Sequence, residues 1–517
     1  MEAGKKIDAD VCVIGSGFGG AMAAKPLVEA GYDVVMLERG DWVPRGEKAW
    51  GPEASLELGP FYNLETPYRV LKGGHTPEMG VYSCVGGPSV FYGGVSLRFR
   101  ESDFEDNPGM TGESGASWPI RYSDLEPFYC QAEKILDVAG NGESDPTEPQ
   151  RSQPYPQQAA PLSKISTAIA NAGKSLGLSP FPLPLAFNHR AGKRKCQLCS
   201  TCDTFACAVS AKNDLATVLL PKLAKQGLRL RPSTIAVKML RDGKQVSGVQ
   251  CVDKKTGENF VVKAKWVVLA AGALASPHLA LASGLDTVSP AEHAVGKYLM
   301  RHVNAIVFGL FPRMPGPVSA FHKQVGFHDF YFGDGSKKGP EGKLGCIQQL
   351  ASPPLALVQS HLPGFLSPFV KPFVRRMTGL LVMAEDQPRP ENGVSLGNST
   401  TGFGLPQLEV RHKYTMRDLA ARHQLRGHAK KILRRAGAWL SYTHKIQTFS
   451  HAVGTLRMGT SPETSPVDKD CRFRGVENLS VVDGSVMPTS AGLNPSLTIS
   501  ANALRAGTLL VESGAVR

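Results

Sequence analysis

Long apolar runs are missing from this chain of 517 residues. A membrane-spanning helix needs about 18–20 consecutive apolar residues, and no such run occurs. The first residues, Met1–Asp10, are polar and charged and lead straight into a strand, so the h-region of a signal peptide is missing too. A cytoplasmic setting is the default expectation, with periplasmic export on a partner as the alternative. Internal repeats and low-complexity tracts are absent. Acidic side chains are in deficit, 45 against 58 basic ones, which leaves a net charge of +13. The basic residues gather in Lys193–Lys195, Lys371–Arg376 and Arg411–Arg435. Such a surface can meet nucleic acid, an anionic membrane or an acidic protein, or can simply be a solvated face. No nucleic-acid motif accompanies the charge, so no nucleic-acid partner is expected.

Apolar residues make up 42% of the chain, with 55 glycines and 38 prolines, so a sizeable core with many tight turns is expected. The length suits two or three domains. Ala9–Ile14 reads as a buried strand, Gly15–Gly20 as a glycine turn, Ala21–Ala30 as a helix and Asp33–Leu37 as a second apolar strand. Strand, turn, helix and strand in so short a span require a parallel crossover, which makes the fold class α/β. Ser123–Ala139 and Asp214–Gln226 read as helices, Leu228–Met239, Val246–Val252 and Lys265–Ala271 as strands. Thr415–Leu440 reads as a basic amphipathic helix, Leu479–Val482 as a strand and Ser496–Val511 as a closing helix.

Three blocks carry chemistry. The first is Gly15-Ser16-Gly17-Phe18-Gly19-Gly20, between a strand and a helix, with Glu38 after the next strand. In that context Gly15 permits the tight turn and Gly17 lets the backbone approach a pyrophosphate at the helix N-terminus. Gly20 completes the pattern, and Glu38 accepts hydrogen bonds from a ribose. This block alone does not separate NAD from FAD. The second is Gly86-Gly87-Pro88-Ser89-Val90-Phe91-Tyr92-Gly93-Gly94, whose glycines let backbone lie flat on a planar ligand. The third joins His451–Gly459, Leu479–Ser485 and Asn494–Ile499. An imidazole such as that of His451 can take an alcohol proton near neutrality, and the amide of Asn494 can hold the alcohol oxygen without charge.

Together these blocks resemble the glucose–methanol–choline (GMC) oxidoreductase family. Val13–Glu38 is similar to its FAD fingerprint and Gly86–Arg98 to its second signature. His451–Gly459 and Asn494–Ile499 are similar to its C-terminal signatures. Ser117–Ile120 with Tyr122–Tyr129, and Ala270–Pro277, match two further family stretches. The resemblance runs end to end and is weakest over residues 300–440. It implies a Rossmann-like FAD domain with an inserted α+β substrate domain. Residues 7–110, 190–300 and 445–517 would form the first, and 111–189 with 301–444 the second. It implies His451 as base and Asn494 as its partner. FAD would be held by Gly15, Gly17, Gly20, Glu38, Gly86, Gly87, Ser89, Tyr92, Val237, Gly272, Asp483, Gly484, Pro495 and Thr498, with backbone of Val237 at the adenine. Some members attach FAD through a His where this chain has Phe91, so the FAD is expected to be non-covalent. Many have Asn where Tyr92 stands, which alters local hydrogen bonding.

Four of the 10 cysteines sit together, Cys196, Cys199, Cys202 and Cys207. The spacing suits an iron–sulfur cluster; disulfides, zinc and free thiols are the alternatives. The segment also resembles one in the family's cholesterol-oxidase-like branch and, with looser spacing, one in its iron–sulfur sugar dehydrogenases, and the latter resemblance implies a cluster that passes electrons on to a partner protein. Ser352–Met383 mixes apolar residues with Lys371-Pro372-Phe373-Val374-Arg375-Arg376, which suits either a membrane-docking lid or a core segment. Gln348, Gln349, Glu385, Asp386 and Asn392 are candidates for the substrate pocket. The expected function is oxidation of an alcohol or sugar CH–OH to a carbonyl, with an acceptor other than oxygen. The alternatives are an oxidase of a lipophilic alcohol such as a sterol, and an inactive flavin-binding assembly subunit.

Overall fold

The computed structural model describes residues 6–46, 61, 67–71, 78–79, 81–192, 194–313, 323–335, 340, 342–352, 355–360, 367–446 and 448–516. Two sheets organise the chain. In the first the strands run Arg229–Arg231, Val34–Leu37, Lys6–Ile14, Asn259–Leu269, Gln245–Asp253, Thr234–Asp242, with Leu479–Val481 also pairing to Asn259–Leu269. Its centre is parallel, Lys6–Ile14 lying between Val34–Leu37 and Asn259–Leu269. A parallel sheet is covered on both faces, so its strands read as unbroken apolar runs. Val11–Ile14 and Val34–Leu37 are accordingly buried at every position. Thr234–Asp242 is antiparallel and partly open, and its burial alternates.

Helix Phe18–Glu29 covers this sheet and is itself covered by helix Ser496–Glu512. Small residues allow a close crossing: a Cβ on Gly507 would lie 2.5 Å from the carbonyl oxygen of Ala23. Helix Tyr122–Leu136 packs on the same terminal helix, and its Tyr129 hydroxyl lies 2.7 Å from Thr498 Oγ1. This helix belongs to the same apolar core as the first sheet, through Leu125, Tyr129, Ala132 and Leu136.

The second sheet is antiparallel, in the order Leu440–Lys445, Val303–Leu310, Met377–Ala384, Gly345–Leu350, Val325–Phe327, Phe181–Pro182. Side chains alternate across it. Val303, Ala305, Val307, Ile347, Leu380, Val382 and Ala384 form one face and pack on Ala421, Leu425, Ala429 and Ile432 of helix Met416–Arg435. The other face carries Asn304, Met383 and Cys346 in one cross-strand row and Ile306, Leu381 and Gln348 in the next. Leu381, Met383 and Cys346 join the core of the first sheet, so this face looks toward it.

Three local expectations are corrected. Leu228–Met239 is not one strand: the chain turns at Pro232–Ser233, where Ser233 adopts φ 54, and its halves join opposite ends of the sheet. Asp214–Gln226 is two short helices, Leu215–Val218 and Leu220–Lys225, because Pro221 has no amide hydrogen to continue the first. The basic helix is capped by Thr415 and stops at Arg435; Gly437 (φ 105) turns the chain, and Leu440–Lys445 becomes an edge strand. No helix among the described residues is long and apolar enough to cross a membrane. Of the segment offered as a membrane lid, residues 353–354 and 361–366 lie outside the described residues.

Candidate active site

The glycine turns meet. Gly15 has φ 103, and a Cβ on Gly20 would run into its carbonyl oxygen, so both positions are closed to any side chain by backbone. Gly17 differs. Its Cβ would find only Pro88 Cδ at 3.7 Å and Gly87 Cα at 4.0 Å, so packing does not demand glycine there. The open side lies at the N-cap of helix Phe18–Glu29, which has no side-chain cap. A pyrophosphate fits that cradle: a helix N-terminus without a side-chain cap and room where a Cβ would stand. Gly86 and Gly87 both have positive φ and press the second turn against it. Ser16 Oγ ties the pieces together, donating to Glu38 Oε2 at 2.6 Å and accepting from Gly86 N at 3.0 Å. Glu38 is buried at the end of its strand and also accepts from Gly40 N at 2.9 Å. Burial raises its pKa, against the pull of those donors.

Other expected cofactor residues play framework roles through their side chains. Asp483 accepts from Gly272 N at 2.8 Å, from Ser276 Oγ and from Ser485 N at 2.8 Å, latching two turns together. Gly272 itself has φ 92 and open space beside its Cα, and Gly484 packs on Ala452, Val453 and Ile499. Ser89 Oγ donates to Gly86 O and accepts from Leu215 N. Thr498 serves Tyr129, and Pro495 starts the terminal helix. Val237 is buried against Ile235, Val252 and Leu405, on the strand that begins where Thr234 N meets Glu38 O at 2.8 Å. Tyr92 donates to Asn213 O at 3.2 Å and meets Phe18 edge-on at 5.3 Å. Phe91 stacks on Tyr82 at 4.6 Å in a separate apolar cluster.

The third block and the second sheet converge. His451 Nδ1 lies 3.0 Å from Nδ1 of His302, which precedes strand Val303–Leu310. His302 Nε2 lies 2.9 Å from the carbonyl oxygens of both Ser490 and Ala491, in the loop that leads to Asn494. Asn494 Oδ1 accepts from Gln348 Nε2 at 2.7 Å. Burial, then the neighbouring His302 and Lys323, hold the His451 imidazole well below its usual pKa. It is therefore neutral and able to accept a proton near pH 7.

The candidate pocket residues divide. Gln348 reaches the site. Asp386 supports it, accepting from the backbone amides of Arg301 and His302 and from Ser490 Oγ. Glu385 accepts from Ala491 N at 3.0 Å, and burial raises its pKa to about 7. Gln349 instead accepts from Gln324 N, and Asn392 closes a pair of bonds with the backbone of Lys413; neither makes a bond to His451 or Asn494. His302 and Lys323 escaped the sequence reading because no motif marks them; the only signal is that an imidazole is buried beside a strand.

The cysteines do come together. Cys196, Cys199, Cys202 and Cys207 line one cavity with Phe187 and Lys212. None of the four is in a disulfide, and among the described residues no group of three or more His, Cys, Asp or Glu is placed to hold a metal ion. The iron–sulfur reading therefore finds no support in this arrangement. The loop is clamped to the second glycine signature. Lys212 Nζ donates to the carbonyls of Tyr92, Cys202 and Phe205 at 2.7–2.9 Å, and Thr204 N donates to Phe91 O at 2.9 Å.

Comparison with known proteins agrees with this geometry. Residues 70–304 and 388–503 match the two conserved regions described as GMC oxidoreductase, and residues 8–56 match an FAD-binding domain. The chain is 31% identical to 6'''-hydroxyparomomycin C oxidase of Streptomyces lividus, over 96% of this chain and 90% of the relative. It is 28% identical to 2-methyl-1,2-propanediol dehydrogenase of Mycolicibacterium austroafricanum, over 96% and 94% of the two chains. The crystal structure of pyridoxine 4-oxidase from Mesorbium loti shares the fold, with a TM-score of 0.69 at 18% identity over 98% of this chain and 99% of that one.

Proposed function

The chain belongs to the GMC oxidoreductase family, and from that premise we propose that it oxidises a CH–OH carbon of an alcohol or sugar. FAD, held non-covalently at the Gly17 cradle, supplies the hydride acceptor. His451 takes the hydroxyl proton as the hydride leaves the same carbon, so the C–O bond becomes a carbonyl with no charge left on the product. Asn494, its carbonyl end occupied by Gln348, turns its NH2 toward the substrate oxygen. Holding both groups against the reacting carbon lowers the entropic part of the barrier. The observation that carries this reading is a half-buried imidazole, His451, whose surroundings favour its neutral form and which is joined through His302 to the loop bearing Asn494. The presence of both groups argues against an inactive assembly subunit.

The substrate class follows from the sheet face above the site. Asn304 Oδ1 and Gln348 Oε1 are buried there without a partner, among Ile306, Leu381 and Met383. Unpaired buried acceptors call for hydroxyl donors, which a sugar or polyol brings. The names of the two relatives, one for an aminoglycoside and one for a diol, agree with that class.

Electrons are proposed to leave the flavin to an acceptor other than oxygen, as the name of the propanediol relative implies. A second reading, an oxidase, is favoured by the name of the aminoglycoside relative. Anaerobic stopped-flow flavin reduction against sugars, diols, sterols and simple alcohols tests the substrate class, and bleaching by sterols alone would overturn it. Peroxide formed stoichiometrically with carbonyl under air would establish the oxidase. His451→Ala should slow flavin reduction by about 10²–10⁴-fold, the range of general-base effects.

A further inference from the structure

We propose that His302 is a positioning residue that sets the tautomer of His451, leaving Nε2 of His451 as the nitrogen without a proton. This rests on His451 being the base. His302 is fully buried, and its Nε2 lies 2.9 Å from two carbonyl oxygens, those of Ser490 and Ala491. A carbonyl oxygen only accepts, so this nitrogen carries the hydrogen. Burial keeps the His302 ring neutral, so its other nitrogen, Nδ1, holds a lone pair. That lone pair faces His451 Nδ1 at 3.0 Å, with the rings nearly perpendicular at 87°. One of the two nitrogens must donate, and only His451 can. Its Nδ1 therefore bears the hydrogen and its Nε2 is bare.

The reversed tautomer would set two lone pairs against each other in a buried site and present a donor where the substrate hydroxyl needs an acceptor. In the favoured one, the hydroxyl proton moves to Nε2 while Nδ1–H keeps donating to His302. The direction is held from behind by one carboxylate. Asp386 accepts from the His302 amide at 3.0 Å and from Ser490 Oγ at 3.0 Å, so it fixes both the ring's backbone and one of the carbonyls that the ring reads. Tyr414 donates to His302 O at 2.8 Å. The chain thus uses a neutral imidazole, aimed by backbone carbonyls, where a carboxylate could also orient a catalytic histidine.

Two measurements on the FAD-loaded protein test this. In the ¹⁵N-labelled wild type at pH 7.5, with His451 assigned by difference against His451→Gln, Nδ1 should give the protonated signature and Nε2 the bare one. A predominantly protonated Nε2 would overturn the proposal. Second, His302→Gln can keep the polarity, its amide NH2 on the carbonyls and its oxygen on His451 Nδ1, whereas His302→Leu cannot. The limiting rate of flavin reduction should fall about tenfold or more in the Leu variant, within the range of a general base, and be largely rescued in the Gln variant. Apparent substrate affinity should stay within about twofold in both, because uniform binding is untouched. Equal limiting rates in the two variants would sink the idea. If His451→Ala reduced flavin at the wild-type rate, the base assignment would fail instead, leaving the tautomer result standing.

Discussion

Asp203, in the cysteine-bearing loop, holds the ammonium of Lys323 at 2.7 Å, and the pair stands where a Cβ on Gly93 would sit. Three separated stretches thus meet at one point: the loop, the second glycine signature and the start of strand Val325–Phe327. Lys323 is buried, while Asp203 is partly open. Replacing Asp203 with Asn strands the buried charge, and we expect a loss of about 1–3 kcal/mol, below the full value for a wholly buried pair. Thermal melting of the FAD-loaded variant measures it; an unchanged midpoint would show that the pair is solvated.

The two glycines of the first turn should fail in different ways. Gly20→Ala places a Cβ against the carbonyl oxygen of Gly15, which is backbone and cannot step aside, so the protein should lose stability whether or not FAD is present. Gly17→Ala has ordinary contacts in the protein, so the folded apoprotein should melt like wild type. Its FAD affinity should drop, because the methyl occupies the pyrophosphate cradle. Equal FAD affinity of Gly17→Ala and wild type, by fluorescence titration, would move the pyrophosphate elsewhere.

Acid should destabilise the fold early. His278, His302, His328, His412 and His451 all have depressed pKa values, burial being the leading cause in each. Their unfolded values lie near 6.5, so between there and the folded values the unfolded chain binds more protons. Stability is then full above about pH 6.5 and falls as pH drops through the window. His278, at about 4 in the folded chain, contributes roughly 3 kcal/mol of that loss by pH 4. Glu385 and Asp418, which burial raises to about 7, pull the other way over this range, and the five rings should outweigh them, so urea midpoints should decline from pH 8 to pH 5; a rise would show that the carboxylates dominate.

The same sign governs catalysis. Flavin reduction should be independent of pH through neutrality, with its acid limb displaced well below the range of an ordinary imidazole, because burial and then His302 and Lys323 disfavour protonation of His451. Lys323 is one of the charges that lower this pKa, so Lys323→Met should move the acid limb upward. Movement downward would contradict the placement of the ammonium near the base.

The thiols of the loop should be slow to react. Burial pushes Cys196 up to about 11, and contact with Cys199 followed by burial raises Cys202 well above the ordinary thiol range. Little thiolate exists at pH 7.5, so alkylation of these residues should lag behind free cysteine. Peptide mapping after timed iodoacetamide treatment reads it directly; prompt labelling of Cys202 would refute the arrangement.

Much of this protein is legible in its residues. The unbroken apolar runs Val11–Ile14 and Val34–Leu37 declare a parallel sheet because a strand covered on both faces tolerates nothing else. The glycine turn, His451 and Asn494 announce their chemistry because each answers a local demand: a backbone that must turn, a nitrogen with a useful pKa, an amide beside a helix. Helix ends were harder. Pro221 and Gly437 were visible, but where a helix yields to a strand depends on the neighbour that receives it, here strand Val303–Leu310 for Leu440–Lys445.

The sequence by itself determined the fold class, the dinucleotide turn and the identity of the candidate base. Tertiary structure alone decided what surrounds that base. His302 and Gln348 lie 149 and 146 residues from the side chains they touch, and neither sits in a pattern with a period. Their selection follows from strand register, which turns one face of the second sheet, with Asn304 and Gln348, toward the first core. Register is a property of paired strands, and the direction of a shared hydrogen is set by all the partners around it at once, so neither is written in any one stretch of chain.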